Sequence, residues 1–223
     1  MNELSQLEVF EMEMLFWLQN KGFLKNLIFG GGTMLRLCHN LSRFSVDLDF
    51  WLYRVAEVNI FYESLKNNLI QNKDYLVTDT QNKFPTLLFE IKKSPYPRKL
   101  KVEIRKEIPQ ADYQEKIAYS KYSNLQVLVK TFTLEQMMLN KISALLDRRE
   151  IRDAFDLEFL IRNGIALPED QAKLRQIKEI IQGFQKRDYF VTLGSLLEPQ
   201  IRNYYRENGF SYLIQIINQK LSY

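Results

Sequence analysis

Leu27-Ile28-Phe29-Gly30-Gly31-Gly32-Thr33-Met34-Leu35 and, a little further on, Arg43-Phe44-Ser45-Val46-Asp47-Leu48-Asp49-Phe50 carry the reading of this chain. The first stretch is a short apolar run that meets three glycines, after which Thr33 opens a helical pattern through Met34, Leu35, Leu37, Cys38 and Leu41. Strand, glycine turn and helix is the simplest arrangement. From Val46 the pattern becomes alternation, with Val46, Leu48, Phe50 and Leu52 to one side and Asp47, Asp49 and Trp51 to the other. Residues i and i+2 of a strand share a face, so both carboxylates project together, and like charges held that close call for a cation between them. Oxygen donors without histidine suit a hard ion, Mg²⁺ or Mn²⁺. The glycine turn offers main-chain N–H groups and a helix N-terminus to a phosphate, and the Thr33 hydroxyl can donate to it. It is neither a Walker loop, since no Gly-Lys-Ser/Thr follows, nor a dinucleotide fingerprint, since the third glycine of that motif is missing. Singly, an Asp-x-Asp pair is most often solvated surface and a glycine triplet a tight turn. Together, with Arg43 and Ser45 between them, they favour a phosphate–metal site.

Outward from this stretch, Leu4, Leu7, Phe10, Met14 and Trp17 predict an amphipathic opening helix that stops near Lys21-Gly22. A helix is expected around Val58–Ile70, then strands at Tyr75–Val77, Pro85–Ile91 and Leu100–Ile104, with a turn at Ser94-Pro95-Tyr96-Pro97. On the last strand Glu103 points away from Leu100, Val102 and Ile104; if that strand neighbours the first, Glu103 is a third carboxylate on the same surface, enough for two ions. The second half is helical. Thr133 with Gln136 is a capping-box signal, Glu150–Arg162 forms another helix that stops at Asn163-Gly164, and helices continue to the end with breaks near Gly183, Pro199 and Gly209. The expected class is α+β: a mixed sheet with flanking helices over residues 1–130, followed by a helical bundle over residues 131–223 packed on it.

Composition narrows the chemistry. Of 223 residues, 46% are apolar and 26% charged, which excludes disordered and collagen-like classes. The 31 basic against 27 acidic residues leave a net charge of only +4. No apolar run approaches the ~20 residues of a membrane span and no secretory signal is visible, so a cytoplasmic protein without membrane association is expected. Cys38 and His39 are the only residues of their kinds, which excludes an internal disulfide, a cysteine zinc site and any metal site needing two imidazoles. Catalysis falls to carboxylates, lysines, arginines, hydroxyls and backbone. Lys92–Lys106 holds seven basic residues against Glu103, either a strip for a nucleic-acid backbone or general solubility charge. Tyr96, Tyr113, Tyr119 and Tyr122 are candidates for base stacking. Lys141, Arg148, Arg149, Arg152, Asp153 and Asp156 form a further cluster, read first as an exposed helix face with i,i+3 and i,i+4 ion pairs and second as cations that meet triphosphate charge.

The two-part signature resembles the AbiEii/AbiGii toxin family of nucleotidyltransferases, whose members commonly read Gly-Gly-Thr-x-Leu and then Arg-x-Ser-x-Asp-Leu-Asp-Phe. Lys141 followed by Arg152-Asp153-x-x-Asp156-Leu157 resembles that family's later segments. The resemblance implies a polymerase-β-type nucleotidyltransferase core with a helical region. It implies transfer of NMP from an NTP to an acceptor, in some members the 3′ end of tRNA, by a toxin that a cognate antitoxin restrains. On this resemblance Gly31, Gly32 and Thr33 would cradle the triphosphate and Asp47 and Asp49 would bind Mg²⁺. Lys141 would contact phosphate, Asp153 or Asp156 would complete the site, and Arg43 and Ser45 lie within the nucleotide-binding motif. Glu103 stands where an aspartate is usual in the wider superfamily. Two other readings fit the same residues: a kinase-like phosphotransferase, and a non-catalytic module that binds nucleotide or RNA.

Overall fold

Asn2 accepts the Ser5 amide at 2.8 Å and so starts helix α1 (Glu3–Asn20), which ends before Gly22, a residue at φ +80° where glycine carries no steric penalty. The computed structural model describes residues 2–107 and 110–222. Strand β1 (Leu27–Gly30) runs into α2 (Gly31–His39), and β2 (Asp47–Leu52) is followed by α3 (Val58–Gln71). Then come β3 (Leu76–Asn82), β4 (Thr86–Lys92), β5 (Leu100–Arg105), β6 (Tyr113–Tyr119) and β7 (Gln126–Phe132). Among the described residues these strands form one seven-stranded mixed sheet, in the order β3-β4-β5-β2-β1-β7-β6. The β2–β5 and β1–β7 pairs are parallel and the others antiparallel.

Alternation decides which face is covered. Leu48, Phe50 and Leu52 of β2, Leu87, Phe89 and Ile91 of β4, and Leu100, Val102 and Ile104 of β5 are all buried. Phe29 stacks on Phe50 at 5.1 Å, Tyr62 of α3 rests against Phe89, and α1 packs against β5 and β7. Each such side chain contributes about 1.5–3 kcal/mol by leaving water. The opposite positions, Asp47, Asp49, Trp51, Lys101 and Glu103, are half-buried.

The chain divides into two units, residues 1–40 with 44–132 in one and 41–43 with 133–223 in the other. The second is helical: α4 (Leu134–Arg148), α5 (Ile151–Arg162), α6 (Gln171–Gly183), a π-helical turn over Asp188–Leu193, α7 (Pro199–Asn208) and α8 (Ser211–Leu221). Thr133 caps α4 by accepting the Gln136 amide at 3.2 Å, but Gln136 turns its side chain to Asn140 instead of back to the cap. The core of this unit is aliphatic around Leu160, Leu174, Ile177, Leu213 and Ile217, with Phe155, Tyr205 and Phe210 in ring contact.

The mixed α/β class agrees with the sequence reading; several details differ. Helix α2 begins at Gly31, two residues before the expected Thr33. Pro199 opens α7 as its first residue, where the missing N–H costs nothing. Strands β6 and β7 add to those the sequence predicts; β6 (Tyr113–Tyr119) alternates polar with mostly exposed residues and buries only Ala118, so its period of two carries little apolar signal. The α5 face read as exposed is not so: Asp153 and Asp156 have no exposed surface.

One buried acid has no counterpart in that reading. Glu11 of α1 is fully buried, and among the described residues neither carboxyl oxygen has a hydrogen-bond partner. Burial raises its pKa well above the ordinary 4.5, with Glu8, Asp47 and Asp49 raising it further against Arg36. Above the ordinary value the unfolded chain releases a proton that the folded chain keeps, so this acid penalises folding increasingly as pH rises toward its folded pKa. Glu11→Met is therefore expected to raise the urea midpoint, with a larger gain at pH 8 than at pH 5; an equal gain at both would contradict a protonated Glu11.

Candidate active site

The pairing of β2 with β5 places Asp47 beside Lys101, Asp49 beside Glu103 and Trp51 beside Arg105. In-register neighbours share a face, so these six side chains lie together on the face opposite the buried leucines. Strand β1 flanks β2 on its other side, with Gly30 opposite Asp49. The Trp51 ring occupies the space a Gly30 side chain would need, its edge meets Phe132 at 4.9 Å, and the Arg105 guanidinium lies over it at 5.1 Å. Gly31, at φ +73°, is packed so closely on Asp49 that an added Cβ would stand 2.8 Å from the Asp49 Cβ. Two of the three glycines are thus required by what lies on the acid strand.

The N-cap of α2 is Gly30, which has no side chain to cap the helix. The N–H groups of a first helical turn, here Gly31, Gly32 and Thr33, lack intrahelical acceptors and carry the positive end of the helix dipole. The Thr33 side chain is spent differently from expectation: it is buried and its hydroxyl donates to the Asp47 carbonyl at 2.5 Å, which pins the helix start to the acid strand. Ser45 is half-buried in the segment leading to β2. Glu103 reaches the expected surface, but its Oε2 lies 2.7 Å from the Lys101 ammonium. Among the described residues no three or more His, Cys, Asp or Glu side chains close into a metal-holding group. Asp47 and Asp49 present carboxylate oxygens on one strand face, donors of the type that a hard divalent ion takes.

The helical unit joins Arg43, Lys141, Arg148, Asp153 and Asp156 in one network around two buried acids, while Arg149 is exposed and Arg152 pairs with Glu150. Arg43 grips Asp156 with two hydrogen bonds, Nε–Oδ1 at 2.6 Å and Nη2–Oδ2 at 2.7 Å. Arg148 grips Asp153 in the same way at 2.7 and 2.8 Å. Lys141 bridges the two acids, 3.2 Å from Asp153 and 2.6 Å from Asp156. Burial opposes the Asp156 charge, yet Arg43 and Lys141 hold its pKa below the ordinary carboxylate value. Burial likewise works against the Arg43 charge, and Asp156 keeps it ionised. Asp153 and Asp156 are therefore engaged with cations, while the Arg148 side chain remains 39% exposed.

Other candidates are placed outside any such grouping. Burial pushes the Cys38 thiol up to about 12 and the His39 imidazole down to about 4, so neither is a thiolate or an imidazolium at neutral pH. In the basic strip, Lys93 pairs with Glu13 and Lys99 with Glu90. Tyr96 stacks on Phe10 at 5.1 Å and donates to Glu13, Tyr122 stacks on Phe44, and Tyr113 shares a hydrogen bond with Tyr53. Lys101 and Trp51 were not read as site residues, although each obeys the same i,i+2 rule that singled out Asp49 and Glu103.

Residues 14–206 match the family described as nucleotidyl transferase AbiEii toxin of type IV toxin–antitoxin systems. In structure the chain is similar to the nucleotidyltransferase toxin MenT4 from Mycobacterium tuberculosis, with a TM-score of 0.66 at 14% identity over 99% of this chain and 83% of that one. It is also similar to JHP933 from Helicobacter pylori, with a TM-score of 0.54 at 21% identity over 96% of this chain and 93% of that one. At these identities the likeness is one of fold. No curated protein matches the sequence. No helix is long and apolar enough to cross a membrane, among the described residues.

Two contrasts test the geometry. Gly22 and Gly31 both have positive φ, but only Gly31 is crowded. Gly22→Ala should cost about 1 kcal/mol and Gly31→Ala about 3 in urea denaturation, the excess measuring contact with Asp49. In the buried network, Asp156→Asn leaves three cations facing one acid and should cost about 3–5 kcal/mol. Lys141→Met leaves two arginines facing two aspartates and should cost clearly less. Because the Asp156 pKa is depressed, its contribution is complete above the ordinary carboxylate pKa and fades as pH falls through the folded one. The gap between wild type and Asp156→Asn should begin to narrow below about pH 4 and keep narrowing as the pH falls further.

Proposed function

Because the chain belongs to the AbiEii family of nucleotidyltransferase toxins of type IV toxin–antitoxin systems, we propose that it transfers NMP from an NTP to an RNA acceptor, with the 3′ end of tRNA as the leading candidate and with Mg²⁺ or Mn²⁺ held by Asp47 and Asp49. The observation that carries this reading is the register that sets Gly30 opposite Asp49 and packs Gly31 on it, so that a phosphate-accepting helix start and a pair of carboxylates meet on one sheet face. Bound divalent ions supply charge neutralisation and Lewis acidity to such a reaction. The chain's own residues do the positioning. First-turn amides of Gly31, Gly32 and Thr33 hydrogen-bond phosphate oxygens, and Thr33 fixes that turn to Asp47. On the family resemblance Lys141 would contact phosphate, and Asp153 and Asp156 hold its ammonium. In this role the two aspartates are positioning residues, and Arg43 locks Asp156 in place.

The acceptor hydroxyl attacks the α-phosphorus as the α–β bridging bond breaks; pyrophosphate leaves, and the hydroxyl proton passes to solvent or a carboxylate. Electrostatic positioning supplies most of the rate in such displacements. A cognate antitoxin would restrain this activity in the producing cell.

The test is incubation with each labelled NTP, Mg²⁺ and total RNA, followed by mass spectrometry of the labelled acceptor. Addition of an NMP mass to RNA is expected, with Asp47→Asn and Asp49→Asn each lowering it by about 10²-fold or more. Addition of a phosphate mass would instead identify a kinase. Growth arrest that survives Asp47→Ala while no acceptor gains mass would identify a binding module.

A further inference from the structure

Lys101 is the one cation that the register itself inserts among the carboxylates. It pairs with Asp47 across the β2–β5 ladder, its Nζ lies 2.7 Å from Glu103 Oε2, and Glu103 in turn neighbours Asp49. Burial works against the Lys101 charge, but the Glu103 hydrogen bond and the fields of Glu103, Asp47 and Asp49 raise its pKa and keep it an ammonium. Two basic residues nearby have different partners: Lys99, just before β5, pairs with Glu90, and Arg105, at the end of β5, covers Trp51. The Lys101 side chain is 38% exposed, so its four-carbon stem has room to turn.

We propose that Lys101 is the built-in counter-cation of the carboxylate row, an ammonium that balances Asp47, Asp49 and Glu103 until a divalent ion arrives with its nucleotide, and that then leaves Glu103 for a phosphate oxygen. The inference rests on the reading of Asp47 and Asp49 as metal ligands. A divalent ion and an ammonium cannot share the same few oxygens without strong like-charge repulsion, so arrival of one displaces the other. The displaced ammonium keeps a use, because the incoming triphosphate carries more negative charge than the ions remove. Glu103, released from Lys101, is then available as the further carboxylate of the site.

Titration with Mn²⁺ alone, followed by the electron paramagnetic resonance signal of the free ion, tests this without any turnover. Lys101→Gln is expected to bind Mn²⁺ about 3- to 10-fold more tightly than wild type, and Lys101→Arg to bind it near the wild-type level. Arg105→Gln removes an equal charge from the same face four residues further along β5 and should give less than half of the Lys101→Gln change. Without metal, Lys101→Gln should melt at a lower temperature than wild type, and its gain in melting temperature on adding Mn²⁺ should be larger. An affinity that is unchanged or weaker in Lys101→Gln, or an equal change in Arg105→Gln, would overturn the proposal while leaving the metal site intact. Absence of Mn²⁺ binding in the wild type, or binding that survives Asp47→Asn combined with Asp49→Asn, would overturn the metal reading and the proposal with it.

Discussion

Register between β2 and β5 is the constraint on which the charged face depends. Three carboxylates and one ammonium crowd onto neighbouring positions of two strands, an arrangement that electrostatics alone would scatter: two like charges 4 Å apart repel by about 4 kcal/mol at the effective dielectric of a protein surface. What holds them is the other side of the same strands. Leu48, Phe50 and Leu52 on β2 and Leu100, Val102 and Ile104 on β5 are buried, each contributing about 1.5–3 kcal/mol. A slip of one residue would exchange the two faces, exposing those side chains and burying Asp47 and Asp49. Apolar burial therefore sets the positions of groups it never touches, and Gly30 at the end of β1 and Gly31 at the start of α2 follow, because Trp51 and Asp49 already occupy the space their side chains would need.

The helical unit solves a different electrostatic problem. Asp153 and Asp156 have no exposed surface, and a lone buried carboxylate is strongly unfavourable. Two fork-shaped guanidinium contacts and a bridging ammonium satisfy both acids and leave one net positive charge, unlike an ordinary surface ion pair of little consequence. Such a network specifies geometry more than it adds stability. Its effect here is to hold Lys141 between two anchors, with the Arg148 side chain still partly in water.

Legibility in the sequence follows from how local each signal is. The strand–glycine–helix unit, the carboxylate alternation and the Thr133 cap are set by neighbours a few residues away, and period and spacing reveal them. That β5 adjoins β2, so that Glu103 shares a face with Asp49, is a long-range fact that alternation permits without requiring. Lys101 was hidden for the same reason, submerged in a run of basic residues whose partners could be found only in three dimensions. The i,i+3 charges of α5 looked like a solvated face because charge spacing is identical whether the partner is water or Arg43. Glu11 gave no warning at all, since acids on a helix ordinarily face outward, yet Glu8 and Glu11 of α1 are both buried.

Arg43 has a consequence for how the molecule comes apart. Its segment, residues 41–43, belongs with the helices although the chain on either side of it builds the sheet. The two units are therefore interleaved along the polypeptide, and no single break separates them. A fragment ending at Phe132 would carry off a guanidinium whose carboxylate counterpart stays behind on α5, and the helical fragment would keep Asp156 without one of its two cations.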